Sequence, residues 1–264
     1  MKKLLGLIFL LPSTLFVGES GIAQIVTEPR WTGFYIGGNL GGIWSKFHGS
    51  VADLPYIDHD GVFFPSFAQT WNVNPNSFVG GAQLGYAYQS GHFVYGTEVS
   101  IMGLNIEDTH ILRPDEVGEF INIFKAGDSF SSKINWQASW VVRLGQQQQN
   151  WLFYGLGGVA IMKPKISTNI TSIEIDGDLF PATQGSEEKT MLGGTIGVGT
   201  EYALWSNLKI GMEYRYTDYG NHHYNVGQNP VSTLPDGFIY TALRADKKLT
   251  TNLLSFRINY YFNN

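Results

Sequence analysis

The side chains of this chain that could carry chemistry are six histidines and a sparse set of carboxylates and guanidiniums, because only 15 % of its residues are charged. Asp58-His59-Asp60 and His222-His223 are the dense histidine clusters. Imidazole beside carboxylate is a donor set for a transition metal or a haem iron. His59, His222 and His223 are therefore the candidate ligand-binding residues, with haem as the cofactor they would suit. No metal is specified, since none of the spacings matches a ligand motif. No serine, histidine and carboxylate are grouped as a nucleophile with its base and acid, so no catalytic residue is assigned and an enzyme is not expected. The chain contains no cysteine, which excludes disulfides and thiol chemistry.

A second group is Glu98, Arg143, Glu201, Lys209, Glu213, Arg215 and Arg257. Each lies in a segment where apolar and polar residues alternate, and each falls on the polar side. Alternation of period two is the mark of a β-strand with one face buried against something different from the other. Glu201 and Lys209 are equidistant from Trp205, so a hairpin centred there sets them opposite each other as an ion pair. If the strands close into a narrow barrel, all seven point into one lumen. Eight strands enclose a space just wide enough to be filled by side chains, and charges held there must be paired. The expectation is a structural ion-pair network plugging the lumen; a small pore or ion path is the alternative.

The elements that would position these groups are eight strands of about ten residues. They start near Trp31, Phe78, Phe93, Lys133, Leu152, Leu192, Leu208 and Leu254. Outward residues read as Phe34, Ile36 and Leu40 on the first, Leu84, Tyr86 and Tyr88 on the second, and Tyr95, Val99 and Ile101 on the third. On the fourth, Ile134, Trp136, Trp140, Val142 and Leu144 read as outward, with Lys133, Asn135 and Arg143 inward. On the fifth, Leu152, Tyr154, Leu156 and Ala160 read as outward, with Phe153 inward. The last three place Leu192 and Ile196, then Ile210 and Tyr214, then Phe256 and Ile258 outside. Short turns alternate with four long connections at about 45–77, 105–131, 163–189 and 220–250, the asymmetry of periplasmic turns and extracellular loops. Trp31, Trp151, Trp205, Tyr86, Tyr88, Phe93, Tyr95, Tyr260 and Phe262 gather at the lower ends, with Trp44 and Tyr216 at the upper ends, as two interfacial belts. Asp176-Gly177 is a hairpin signal and 238–243 is apolar, so ten strands are the alternative to eight.

The N-terminus sets the compartment. Lys2-Lys3, an apolar run from Leu4 to Val17 and the small-x-small Gly21-Ile22-Ala23 read as a signal peptide over 1–23, leaving a barrel domain over 24–264. No later stretch is apolar enough for a spanning helix. An exported chain with 14 % aromatics and 32 glycines fits a barrel in the outer membrane of a Gram-negative bacterium, with outer-membrane lipid and lipopolysaccharide as its surroundings. The formal charge of −5 argues against nucleic acid as a partner.

Trp31-Thr32-Gly33-Phe34-Tyr35-Ile36-Gly37-Gly38-Asn39 resembles the opening of the small outer-membrane surface-antigen barrels. Glu201-Tyr202-Ala203-Leu204 with Glu213-Tyr214-Arg215-Tyr216 resembles their last hairpin, and Asn259-Tyr260-Tyr261-Phe262 their closing strand. The resemblance covers the strands, about half of the chain beyond the signal. It implies an eight-stranded antiparallel transmembrane up-and-down barrel related to the membrane domain of outer membrane protein A. It also implies an abundant envelope immunogen, some of whose relatives bind haem or host molecules, and recognition of the C-terminal strand by the assembly machinery. Asn263 and Asn264 depart from the family pattern, setting Phe262 back from the end.

Overall fold

The computed structural model describes residues 30–53, 56–57, 63–64, 68–113, 126–171, 173–175, 178–180, 183–234 and 237–262. The expected signal peptide over 1–23 and His59 lie outside them. No helix among these residues is long and apolar enough to cross a membrane, which says nothing against crossing by strands.

Eight long strands form the body: β1 (Gly33–Asp53), β2 (Asn76–Ser90), β3 (Phe93–Ile111), β4 (Ser129–Gln148), β5 (Trp151–Met162), β6 (Met191–Ala203), β7 (Leu208–Leu234) and β8 (Gly237–Phe262). Each pairs antiparallel with the next, and β1 pairs with β8 from Phe34↔Phe262 upward. The ring of pairings is therefore complete, which leaves no strand edge unpaired in lipid. Four of the strands run 20 residues or more. Much of what reads as long loops in the sequence is thus strand continuing above the membrane. β7 and β8 stay paired up to Leu234↔Gly237. Shorter strands add to these extensions: Ala68–Val73 on β1, Lys165–Ile170 on β4, and Thr183–Glu188 on the latter. Ile173–Ile175 and Asp178–Phe180 pair with each other as a separate small ladder, not as barrel strands; the hairpin signal Asp176-Gly177 between them lies outside the described residues.

The faces follow from alternation, with two corrections. On β5, Leu152, Tyr154, Leu156 and Ala160 are buried, while Trp151, Phe153 and Val159 are exposed, the reverse of the expected assignment. Both faces of this strand are apolar, so its alternation carried no sign. The register supplies one: Arg143 pairs with Leu156, and residues directly opposite share a face. On β4, Ile134 is buried and Lys133 and Asn135 are exposed, also against expectation. Between Gly103↔Trp136 and Ile106↔Ile134, β3 carries one residue more than β4. The phase changes on β4, where Asn135 and Trp136 are both exposed, while Met102, Leu104 and Ile106 stay buried in unbroken alternation on β3.

Within the membrane the outer face is apolar, from Phe34, Ile36 and Leu40 on β1 round to Phe256 and Ile258 on β8. Exposed aromatics cluster low (Tyr88, Phe93, Trp151, Trp205, Tyr260, Phe262) and high (Trp44, Tyr216). Trp31 is an exception to the lower belt: it is fully buried. Above the upper belt the amphipathic sense inverts. Ile43, Leu104, Ile106, Ile134, Met162, Leu249 and Leu253 form a buried apolar cluster inside, while Lys46, His48, Glu107 and Lys133 are exposed outside. A wall that stands in water above the bilayer must turn its apolar residues inward, so the same strands serve two solvents in succession.

Candidate functional site

The interior at the level of the membrane is built from side chains of all eight strands; five of them supply charge, while β1, β2 and β5 supply neutral groups. Glu98 comes from β3, Arg143 from β4, Glu201 from β6, Glu213 and Arg215 from β7, and Arg257 from β8; all are at most 5 % exposed. Three carboxylates meet three guanidiniums. Arg215 Nη2 donates to Glu98 at 2.8 Å and its Nε to Glu213. Arg143 reaches Glu98 at 3.4 Å and also bonds Glu201. Arg257 donates to both Glu98 and Glu213, and its Nε lies 3.9 Å from Glu201. Each guanidinium therefore bridges at least two carboxylates, and each carboxylate at least two guanidiniums, so the charges balance within the cluster.

Neutral groups take up further valences. The Tyr35 hydroxyl donates to Glu98 at 2.9 Å and accepts from Arg143 at 2.9 Å. Tyr154 donates to Glu213 at 2.8 Å, and Arg143 lies 3.8 Å from its ring centroid, a cation–π contact. Arg215 Nη1 donates to Ser139 at 2.7 Å and to Ser100 at 3.3 Å. Asn259 donates to Glu201 at 3.2 Å and accepts from Gln83 at 2.9 Å, and Gln83 in turn accepts from Asn39 at 2.6 Å. Glycines make room for this layer. A Cβ on Gly85 would collide with the Tyr35 ring, and one on Gly199 with the Tyr154 ring.

Lys209 does not take the place expected for it. The ladder sets Lys209 opposite Ala203 and Glu201 opposite Gly211, so the hairpin is centred on Ser206 and not on Trp205. Lys209 is fully buried below the network, donating to the Ser206 carbonyl at 2.9 Å and standing 4.9 Å from the Trp31 ring centroid. Trp31 meets Tyr261 edge-on at 6.1 Å, and Tyr261 stacks on Tyr35 at 4.8 Å. An aromatic floor thus closes on the charged layer from the periplasmic side. The hollow among Tyr35, Val94, Arg143, Leu152, Tyr154 and Tyr261 amounts to about 10 Å³.

Tyr154 is the member that alternation missed, because β5 reads with the wrong face outward. Tyr35 reads as inward but without a role, since nothing in its own segment names a partner 63 residues away.

Among the described residues the candidate histidines, His222 and His223, do not converge on one site; His59 lies outside them. His222 and His223 are consecutive on β7 and so point to opposite faces. His222 Nε2 lies 2.8 Å from the Tyr219 carbonyl, and the His223 carbonyl accepts from Lys189 at 3.1 Å. Among the described residues no group of three histidine, cysteine, aspartate or glutamate side chains could hold a metal.

Comparison with known proteins places this architecture. The chain is 30 % identical to the 31 kDa outer-membrane immunogenic protein of Brucella melitensis over 197 residues, 72 % of each chain. It is 26 % identical to the 22 kDa outer membrane protein of Rhizobium leguminosarum over 214 residues, 80 % of this chain and 74 % of that one. The solved outer membrane protein OprG of Pseudomonas aeruginosa covers 87 % of this chain and 97 % of its own length, at 10 % identity and a TM-score of 0.43. The family model described as the outer membrane protein beta-barrel domain matches residues 20–262. The chain belongs to this family, the β-barrel proteins of the Gram-negative outer membrane.

Proposed function

We propose that the protein is a structural envelope protein and surface antigen with a plugged lumen, rather than a pore, a receptor or an enzyme. The observation that carries this reading is the charge-balanced layer of Glu98, Glu201, Glu213, Arg143, Arg215 and Arg257. Ions crossing the barrel would have to pass between guanidiniums and carboxylates already committed to one another, and breaking one such buried pair costs several kcal/mol. The hollow of about 10 Å³ beside Arg143 holds one water at most. The aromatic floor of Trp31, Tyr35 and Tyr261 supports the same reading.

What faces the outside is then the strand extensions and their connections, the part of such a scaffold that meets host or environmental molecules. The relatives named as immunogenic proteins support an antigen role. The outward Tyr260 and Phe262 at the end of β8 support recognition of that strand by the assembly machinery. The haem-receptor reading through His59, His222 and His223 gains no support from a β7 that turns His222 and His223 apart.

Liposome swelling tests the lumen: vesicles carrying the refolded protein should not swell in small sugars, and swelling above that of empty vesicles overturns the plug. Antibodies to the β7–β8 hairpin tip should stain intact cells; staining only after permeabilisation overturns the antigen role.

A further inference from the structure

The outer surface changes character at one height on three adjacent strands. Reading outward residues upward, β1 presents Phe34, Ile36, Leu40, Trp44, then Lys46 and His48. β8 presents Phe262, Tyr260, Ile258, Phe256, Leu254, then Asn252, Thr250 and Lys248. β7 presents Ile210, Met212, Tyr214, Tyr216, then Asp218. Phe34 and Trp44 are ten residues apart. At a rise of about 3.3 Å per residue and a tilt of about 40°, that spans roughly 25 Å, the height of the apolar band of an outer-membrane barrel. Lys46, His48 and Lys248 therefore stand just above the hydrocarbon, at the headgroup level of the outer leaflet.

Their arrangement is specific. His48 pairs directly with Lys248, and Lys46 with Thr250, so Lys46 and Lys248 are diagonal neighbours on the same outward face. Lys46, His48, Tyr216, Lys248, Thr250 and Asn252 line one open hollow of about 510 Å³. Two lysines held as diagonal neighbours on one face repel each other, and an anion between Lys46 and Lys248 relieves that repulsion. Two exposed lysines elsewhere on the extensions do have a carboxylate beside them: Lys133 lies 3.5 Å from Glu107 and Lys163 2.8 Å from Glu188. The acidic neighbour on β7, Asp218, stands opposite Thr250 and is turned towards the Gly220 amide, which donates to its Oδ1 at 2.8 Å. Tyr214 donates to Asn252 at 2.6 Å, fixing the lower rim. The chain as a whole is acidic, at −5, so this concentration of cations does not reflect a basic protein.

We propose that this hollow binds a phosphate of an outer-leaflet glycolipid, the phosphorylated diglucosamine of lipopolysaccharide. Lys46 and Lys248 hold the phosphate oxygens, Thr250 and Asn252 contact the sugar, and the exposed rings of Trp44 and Tyr216 pack against the acyl chains below.

The test is titration of the refolded full chain in detergent micelles with bisphosphorylated lipid A, dephosphorylated lipid A and inorganic phosphate. K46Q/K248Q is compared with K133Q/K163Q, which makes the same charge change elsewhere; a gel mobility shift on heating verifies that both variants fold. Saturable binding of bisphosphorylated lipid A, weakened about ten-fold or more in K46Q/K248Q and less than two-fold in K133Q/K163Q, is the expected result. Equal weakening in the two variants, or equal binding of the dephosphorylated lipid, overturns the proposal. Inorganic phosphate should not displace the lipid at millimolar concentration; displacement there would mark an adventitious anion site and also overturn it.

Discussion

Glu98 is the residue whose loss should disturb the interior most. Its carboxylate receives Arg215, Arg143 and Arg257 together with the Tyr35 hydroxyl. Glu98→Ala would leave three guanidiniums facing two carboxylates in a volume closed by an aromatic floor. Removing one partner of a buried ion pair costs about 3–5 kcal/mol, because the remaining charge stays buried. With an m-value of about 2 kcal/mol/M, urea unfolding from vesicles followed by tryptophan fluorescence should shift its midpoint down by roughly 2 M. Glu98→Gln, which keeps the shape and one acceptor, should fall between Glu98→Ala and the native chain. Combining Glu98→Gln with Arg257→Gln restores the charge balance and should recover about 1–3 kcal/mol relative to the sum of the single changes. A midpoint shift under about 0.5 M for Glu98→Ala would mean that water already screens the layer, and the reasoning from a dry, balanced network would be wrong.

Other consequences follow from the same geometry. Gly85→Ala inserts a methyl group into the Tyr35 ring and should destabilise the barrel by about 1–3 kcal/mol, read in the same urea titration. Tyr219 is buried in the apolar interior above the membrane, and burial raises its phenol above the ordinary range. The stability it contributes is therefore full below pH about 10 and lost as pH rises beyond that. Amide exchange in β7 should accelerate at alkaline pH, and Tyr219→Phe should remove that part of the acceleration. Haem titration should give no bis-imidazole spectrum from His222 and His223, which face opposite ways; a spectrum lost in His222→Ala/His223→Ala would contradict the proposed function.

The eight strands were legible because most carry unlike faces: on β7, Lys209, Glu213 and Arg215 alternate with Ile210, Met212 and Tyr214, and only one assignment makes physical sense. β5 was illegible for the opposite reason. Its inner residues pack against an aromatic floor and an arginine ring contact, so both faces are apolar. A signal was available in the turn. Gln149, at φ 54°, and Asn150 make a two-residue connection that pairs Gln148 with Trp151, and counting back from it sets Leu156 beside Arg143. The burial of Ile134 depends on a bulge between two strands, which no single segment encodes. The charged set could be named residue by residue, but its connectivity could not. Arg143 meets Glu201 across 58 residues, and the lumenal partners were fixed only when the ring of strands closed. Lys209 shows the limit in miniature: its inward face was readable, while a shift of one in the hairpin centre replaced an expected carboxylate with a carbonyl and an indole.

Single-channel recording in planar bilayers tests the central claim most directly, with the native chain beside Glu98→Ala/Arg257→Ala, which removes both signs of charge at once. The account predicts a silent native protein and discrete conductance steps once the two side chains are gone. Ohmic steps from the native chain at neutral pH would contradict it.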